Sequence, residues 1–170
     1  MIARPILSLV LLLIVLPSTA AAQKLVIFVR HAERADGGPI AGQMTPPSQQ
    51  DPPLSGAGTQ RAARLATMFA DAGIKAIFAT EFRRTQETAA PLAAKLGLKV
   101  QSMIAKDHPA LVKRLQSVHA NDIVLIVGHS NTIPQVIRLL GGPAVTIADD
   151  DYDSIFVLVP ADGTLTRIKY

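Results

Sequence analysis

Two histidines follow two apolar segments of this chain, and imidazole can act as a nucleophile or a general base near neutral pH. Arg30-His31 comes directly after the apolar residues 25–29, and Gly128-His129 comes directly after residues 122–127. Short apolar runs rich in β-branched residues are typical of strands buried on both faces of a parallel sheet. Because ligands bind beyond the carboxyl ends of such strands, we expect both imidazoles to face one pocket.

Arginines accompany these histidines. Arg30 precedes His31, and Arg84 lies in a polar segment after a further apolar run. Guanidinium groups hold phosphate through paired hydrogen bonds, and a neutral histidine is a competent nucleophile toward phosphorus. Phosphoryl transfer requires mainly positioning and neutralisation of charge on the phosphoryl oxygens. The set of residues therefore indicates phosphate chemistry.

The elements that would position these residues alternate between strand and helix. Alternation of this kind predicts an α/β fold, here a three-layer α/β/α sandwich around a mostly parallel central sheet. A long loop rich in glycine and proline is expected at residues 35–53. The predicted strands are 25–29, 74–79, 98–104 and 122–127, the predicted helices run from Ser55 to before Gly73 and over 81–96, 109–118 and 132–140, and residues 154–159 and 165–169 predict an antiparallel hairpin.

The first 22 residues are typical of an export signal. Arg4 supplies a positive charge, residues 6–16 an apolar run, and residues 20–22 a small-residue cleavage site. We therefore expect a signal peptide at 1–22, one domain at 23–170, and a periplasmic or secreted protein without stable membrane insertion after cleavage. An uncleaved membrane anchor is the alternative.

Composition excludes several classes of function. The chain has no cysteine, which removes thiolate nucleophiles and thiolate metal sites. Its formal net charge of +4 comes from scattered basic residues with few aromatics between them. Nucleic-acid binders cluster such residues, so we expect no nucleic-acid partner.

Four segments, in this order, resemble the motifs of the histidine phosphatase superfamily, branch 1, which also contains the cofactor-dependent phosphoglycerate mutases. Together they span most of the chain after the signal. Residues 29–33 (Val-Arg-His-Ala-Glu) resemble Arg-His-Gly-Glu, residues 54–58 followed by Ala62 resemble Leu-Thr-x-x-Gly, residues 80–89 resemble Ser-x-Leu-x-Arg-Ala-x-Gln-Thr-Ala, and residues 127–130 (Val-Gly-His-Ser) resemble Val-x-His-Gly/Ser.

The resemblance implies a phosphoglycerate mutase-like fold and a role for each matching residue. His31 would be the nucleophile that becomes phosphohistidine, while Arg30, Arg84 and His129 would bind the phosphoryl oxygens. The family requires no metal, and we expect this protein to use no cofactor. Ala32 replaces the usual glycine, and Arg34 stands where a small hydroxyl residue is common, so it adds a possible substrate contact.

The proton donor stays open at this level. Asp107 occupies the place of the family acid, but an aspartate before a helix is equally explained as an N-cap. Glu33 and His108 are further candidates for this chemistry, His108 also as a substrate contact. The triplet at 149–151, three consecutive aspartates, is more typical of an exposed turn than of a cation site.

The predicted activity is that of an exported phosphatase of the histidine acid phosphatase type. It would hydrolyse a phosphomonoester or a phosphoramidate, on a phosphorylated small molecule or a cell-envelope phosphate. Two alternatives remain. One is a metal-dependent hydrolase with His31, His129 and either Asp107 or Glu33 as ligands, and the other is a catalytically silent binding or sensor module that keeps the phosphate pocket. A nucleophilic His31 must be neutral, so we expect activity at mildly acidic to neutral pH.

Overall fold

A computed structural model describes residues 25–37 and 51–170 of the chain. The predicted signal sequence at 1–22 and residues 38–50 of the predicted long loop lie outside the described residues. Export and the domain boundary at residue 23 therefore stay predictions. Within the described ranges, no helix is long and apolar enough to cross a bilayer.

Strands and helices alternate as the sequence predicts, and the chain closes with the predicted antiparallel hairpin. The two final strands are preceded by four strand–helix units. The elements are β1 (Leu25–Arg30), α1 (Gly56–Met68), β2 (Ile74–Thr80), α2 (Arg83–Leu96), β3 (Val100–Met103), α3 (His108–Val118), β4 (Ile123–Gly128), α4 (Ile133–Leu139), β5 (Ser154–Val159) and β6 (Thr164–Lys169).

The described strands form one sheet in the order β3-β2-β4-β1-β5-β6. β1 to β4 are parallel, whereas β5 runs antiparallel to β1 and β6 antiparallel to β5. β1 and β4 are direct neighbours at the centre, with Arg30 opposite Gly128. The residues that follow these two strands, His31 and His129, therefore emerge side by side at one edge of the sheet.

Helices cover both faces of the sheet and bury two apolar layers. Successive strand residues point to opposite faces, so Val26 and Phe28 of β1 pack into one layer and Ile27 and Val29 into the other. The first layer is shared with α3 and α4, the second with α1 and α2. The predicted three-layer α/β/α architecture is confirmed.

Helix boundaries differ little from the predictions, and local contacts explain the differences. Ser55 caps α1 by accepting from the Gly58 N–H at 3.0 Å, and Gly97 ends α2 at φ 65°. α2 begins at Arg83 rather than at residue 81. The Asp51 carboxylate accepts the Arg83 N–H at 2.8 Å, so a residue distant in sequence satisfies the first turn of this helix.

Gly58 lets α1 lie against the chain just beyond His31. A Cβ built on Gly58 would stand 2.3 Å from the carbonyl oxygen of Glu33. That same oxygen accepts the Ser55 N–H at 2.8 Å, which joins the start of α1 to the segment after β1. The Gly of the Leu-Ser-x-x-Gly segment is thus required by close backbone packing.

We predict that Gly58→Ala destabilises the protein by about 1–3 kcal/mol, because the new methyl group forces α1 away from Glu33. Gly56→Ala is the matched control, since a methyl group at residue 56 would meet no other atom of the described chain within 4 Å. Urea denaturation of both variants measures the free energy of unfolding. Equal stability of the two variants would contradict the packing argument.

Candidate active site

His31 is held in one tautomer by the backbone. The backbone N–H of His31 continues the β1–β4 ladder by donating to the Gly128 carbonyl at 2.9 Å. Its ring Nδ1 lies 2.8 Å from the Ala32 carbonyl oxygen, which can only accept, so Nδ1 carries the proton. In the neutral ring, Nε2 therefore keeps a free electron pair. His31 is 4% exposed.

Alanine fits the position where the family pattern has glycine. Ala32 is fully buried, and its N–H donates to Thr88 Oγ1 at 3.0 Å. No residue other than glycine in the described ranges has a positive φ, so the backbone at Ala32 does not need glycine's freedom. The departure from the pattern leaves the His31 geometry unstrained.

His129 lies beside His31 and is anchored through two threonine hydroxyls. The two ring centroids are 5.3 Å apart. His129 Nε2 lies 2.8 Å from Thr80 Oγ1, which lies 2.8 Å from Thr85 Oγ1. Thr85 donates to the Phe82 carbonyl at 2.6 Å. These contacts occupy Nε2 of His129 and leave Nδ1 for a ligand. When Thr80 donates to Nε2, the neutral ring carries its proton on Nδ1 and can donate it to an anion.

The guanidinium of Arg30 is held by hydrogen bonds from its Nη1 atom. Its Nη1 donates to the carbonyl oxygens of Ala148 at 2.9 Å and Asp149 at 2.7 Å, and its guanidinium lies 4.1 Å from the ring centre of Tyr152. Its Nε is buried and has no hydrogen-bond partner in the described part of the chain. The bound side fixes the plane of the guanidinium, and Nε can still donate to an anion.

Arg84 stands in the first turn of α2, beside both histidines. It is 9% exposed, its guanidinium lies 4.4 Å from the ring centre of Phe82, and Nη1 donates to Asp51 at 3.4 Å. Burial lowers the pKa of Arg84 below its ordinary value, and the neighbouring Arg34 charge lowers it further. The guanidiniums of Arg30, Arg84 and Arg34 thus give the carboxyl-terminal ends of the strands a positive potential.

Both imidazoles are neutral at neutral pH. Burial lowers the pKa of His31 to about 3, and the charges of Arg84 and Arg30 act in the same direction. Burial likewise lowers the pKa of His129 to about 3, followed by the effects of the same arginines. His31 is therefore in the form that a nucleophile requires, and the positive charge resides on the guanidiniums.

Among the described residues, the carboxylates of the candidate proton donors Asp107 and Glu33 make their hydrogen bonds outside this cluster. Asp107 is exposed and caps α3 by accepting the Ala110 N–H at 3.1 Å. Glu33 accepts two hydrogen bonds from Arg61, at 2.9 and 2.6 Å. Although burial acts to raise the pKa of Glu33, these bonds lower it below its ordinary value. This arrangement favours a permanently ionised structural Glu33 over a proton donor.

Two further predicted residues differ in how close they come to the site. His108 begins α3, and its Nε2 is buried without a partner in the described ranges. No hydrogen bond among these residues joins it to His31 or His129. Arg34 is closer, because its charge lowers the pKa of both Arg84 and His129. It pairs with Asp36, and its side chain is 11% exposed.

The sequence analysis did not identify several residues of the site. Thr80 and Thr88 lie within the 80–89 motif, and Thr88 is four residues after Arg84, which places both on one face of α2 and could have revealed Thr88. Asp151 and Tyr152 lie in a loop without periodic pattern. Asp151 is 7% exposed, so the prediction of an exposed turn at 149–151 is wrong for this residue.

A metal site would need several converging ligands. Within residues 25–37 and 51–170, no group of three or more His, Cys, Asp or Glu side chains is placed to hold a metal ion. His31 and His129 are instead surrounded by arginines. The charges and contacts of these residues thus favour anion binding at this edge.

The fold and the cluster favour binding of a phosphate-like anion beside the histidines, and comparison with known proteins is consistent with this. Residues 26–105 match the model of the histidine phosphatase superfamily, branch 1. The chain is similar to this superfamily over these residues, which supports phosphatase activity through a histidine. None of the curated protein sequences matches the chain.

Three solved structures that share the fold at low sequence identity carry phosphatase names. An Escherichia coli protein assigned as an alpha-ribazole-5'-P phosphatase has a TM-score of 0.66 at 17% identity, covering 86% of this chain and 96% of that one. A mycobacterial glucosyl-3-phosphoglycerate phosphatase scores 0.62 at 13% identity, covering 86% and 98%. The protein histidine phosphatase SixA, complexed with tungstate, scores 0.62 at 18% identity, covering 85% and 96%. The phosphoglycerate mutase-like fold is confirmed.

We predict that Thr80→Val weakens binding of inorganic phosphate about tenfold, because His129 loses the buried hydrogen bond at Nε2 that orients its ring and keeps the proton on Nδ1. Isothermal titration calorimetry measures the affinity. Thr59→Val is the control, since its hydroxyl is exposed on α1 and donates only to the Ser55 carbonyl. An unchanged affinity in Thr80→Val, or an equal loss in the control, would refute the orienting role of Thr80.

We predict that His31→Gln makes the stability of the protein less sensitive to acid. The folded pKa of about 3 lies below the ordinary 6.5, so between these values the unfolded chain binds a proton that the folded chain does not. Wild-type stability therefore falls as the pH is lowered through that window, and His31→Gln removes one such contribution. Urea unfolding at several pH values in this window measures the slope. Parallel curves for the two proteins would be incompatible with a buried neutral His31.

Proposed function

We propose that this protein hydrolyses phosphomonoesters or phosphoramidates through a phosphohistidine intermediate on His31. The observation that carries the proposal is the hydrogen bond from His31 Nδ1 to the Ala32 carbonyl, which leaves Nε2 unprotonated. A neutral, oriented imidazole beside two buried guanidiniums is suited to attack on phosphorus. The surrounding charges belong to Arg30 and Arg84, which flank the histidine pair.

In the first step, Nε2 of His31 uses its electron pair to form a bond to phosphorus. The bond from phosphorus to the leaving oxygen or nitrogen breaks, and the leaving group departs with that electron pair and takes a proton from a solvent water molecule, which becomes hydroxide. The guanidiniums of Arg30 and Arg84 neutralise the charge on the non-reacting oxygens. Nδ1 of His129, which does not take part in the threonine anchor, donates a further hydrogen bond when Thr80 donates to Nε2, because the neutral ring then carries its proton on Nδ1.

In the second step, water attacks the phosphorus of the phosphohistidine. The phosphorus–Nε2 bond breaks and returns the electron pair to His31, and inorganic phosphate leaves. The Ala32 carbonyl holds the Nδ1 proton during both steps, because it stabilises the ring while it is transiently cationic. The histidine ends the cycle neutral and in its starting tautomer.

The expected pH range extends toward acid. Because burial lowers the pKa of His31 to about 3, protonation of the free enzyme does not inactivate the nucleophile at mildly acidic pH. This supports an activity of the acid phosphatase type. It also widens the sequence-based expectation, which placed activity between mildly acidic and neutral pH.

The proposed substrates are phosphorylated small molecules or cell-envelope phosphates. The named structural relatives act on a glucosyl-phosphoglycerate and on protein phosphohistidine, which supports both an ester and a phosphoramidate substrate. Arg34, whose charge reaches His129 and Arg84, adds a third guanidinium close to the phosphoryl site. This third cation favours substrates that carry a further anionic group.

Labelling with a radioactive phosphate donor and acid-base lability of the label test the intermediate. Wild-type protein should form an acid-labile, base-stable phosphoenzyme, and His31→Ala should form none, because the attacking nitrogen is missing. His119→Ala is the matched control, since His119 pairs with Asp122 at 2.9 Å, away from the cluster, and should label like wild type.

Other outcomes would overturn the proposal. Label that persists in His31→Ala would move the nucleophile elsewhere. Loss of p-nitrophenyl phosphate hydrolysis in EDTA, restored by zinc, would establish a metal-dependent hydrolase. Phosphate binding by a protein with intact His31 that neither turns over substrate nor traps label would establish a silent binding module.

A further inference from the structure

The loop between α4 and β5 supplies the groups that orient Arg30. Residues 140–153 form neither helix nor strand, yet the carbonyl oxygens of Ala148 and Asp149 accept from Arg30 Nη1. The side chain of Tyr152 stacks on the same guanidinium at 4.1 Å. The orientation of Arg30 therefore depends on where this loop stands, and a loop without regular structure needs an anchor of its own.

Asp151 provides that anchor. Its side chain is only 5% exposed, and its carboxylate accepts from Ser154 Oγ at 3.0 Å, from Lys169 Nζ at 2.9 Å and from Arg167 Nη2. Arg167 also donates to Ser154 Oγ at 2.9 Å, which closes the network. These partners lie on β5 and β6, so the network ties the loop to the antiparallel hairpin at the edge of the sheet.

One carbonyl links the anchor to the arginine. The Ala148 oxygen accepts both the Asp151 N–H, at 3.1 Å, and Arg30 Nη1, at 2.9 Å. The Asp151 carbonyl also lies 3.5 Å from Arg30 Nη1. A shift of Asp151 would thus displace the acceptors of Arg30 directly, without any change in the sheet that carries Arg30 itself.

We propose that Asp151 is a positioning residue for the phosphoryl-transfer reaction, acting through the 148–151 loop on the guanidinium of Arg30. The inference rests on the proposed function, because it assigns Arg30 to the phosphoryl oxygens. It makes β6, an edge strand that contributes no residue to the site, a support of the site through Arg167 and Lys169. The carboxylate stays ionised throughout the acid range: although burial acts to raise its pKa, the hydrogen bonds from Lys169 and Ser154 lower it to about 2.

A double-mutant cycle separates positioning from general structural support. Asp151→Asn keeps the shape of the side chain but loses its charge toward Arg167 and Lys169. We expect it to lower kcat/KM for p-nitrophenyl phosphate about tenfold in the wild-type background and less than about twofold in an Arg30→Ala background, because coupled residues are not additive. Asp153→Asn, which loses an exposed pair with Lys169 but leaves the bonds of Asp151 with Ser154 and Arg167 in place, is the control and should leave kcat/KM within about twofold.

An equal loss from Asp151→Asn in both backgrounds would overturn the proposal, since it would show that the effect does not pass through Arg30. If Asp151→Asn does not fold, as judged by its thermal melt, Arg167→Met enters the same cycle. It should show a smaller loss that also vanishes with Arg30→Ala, and Arg167→Lys should restore the activity. If Arg167→Met also lowered kcat/KM in the Arg30→Ala background, the positioning role of Asp151 would be refuted as well.

Calorimetric binding of inorganic phosphate distinguishes a failure of this inference from a failure of the proposed function. If wild-type protein lacks turnover that depends on His31, the proposed function fails, but Asp151→Asn should still weaken phosphate binding severalfold compared with Asp153→Asn. If wild-type protein is active through His31 and Asp151→Asn binds phosphate as tightly as wild type, the positioning role fails alone.

Discussion

The parallel pairing of β1 with β4 is the constraint on which the site depends. Arg30 stands opposite Gly128 in this ladder, and the His31 N–H extends it by one more bond to the Gly128 carbonyl. The two imidazoles therefore emerge from adjacent strand ends at a spacing set by backbone hydrogen bonds. A shift of this register by one residue would send His31 to the opposite face of the sheet, because strand side chains alternate. Two apolar layers, one on each face, hold the register in place.

Burying cations at the end of such a sheet is costly, and the structure offsets the cost in distinct ways for each. Arg30 receives backbone carbonyls and the face of Tyr152, whereas Arg84 receives Asp51 and the face of Phe82. The carbonyls and the ring do not surround the guanidinium of Arg30 completely, since its Nε lacks a partner among the described residues. The histidines avoid the cost by remaining neutral. Full compensation of Arg30 is left to an anionic ligand.

The sequence was sufficient for the fold and for the central residues, because these depend on local patterns. Apolar runs located β1 and β4, and Ser55 and Gly97 marked helix ends through rules that involve a few neighbouring residues. Residues whose role arises from contacts between distant segments could not be found in this way. Asp151 looked like part of an exposed acidic turn, and only the cations on β6, folded beside it, make it a buried anchor. Asp107 was a candidate that the sequence could not decide, because an N-cap aspartate and a catalytic aspartate look the same in sequence. In the structure, its carboxylate accepts the Ala110 N–H as an N-cap.

The neutral imidazoles among arginines have a consequence for how the protein would behave in its surroundings. Because His31 and His129 carry no charge, the site presents guanidiniums to any tetrahedral oxyanion, and nothing in this arrangement of described residues distinguishes an ester from free phosphate. If the protein hydrolyses phosphate compounds as proposed, the product is itself a ligand of the site, and it competes with the substrate where phosphate is abundant. Turnover would then respond to the local phosphate level, fast in a phosphate-poor medium and self-limited in a rich one.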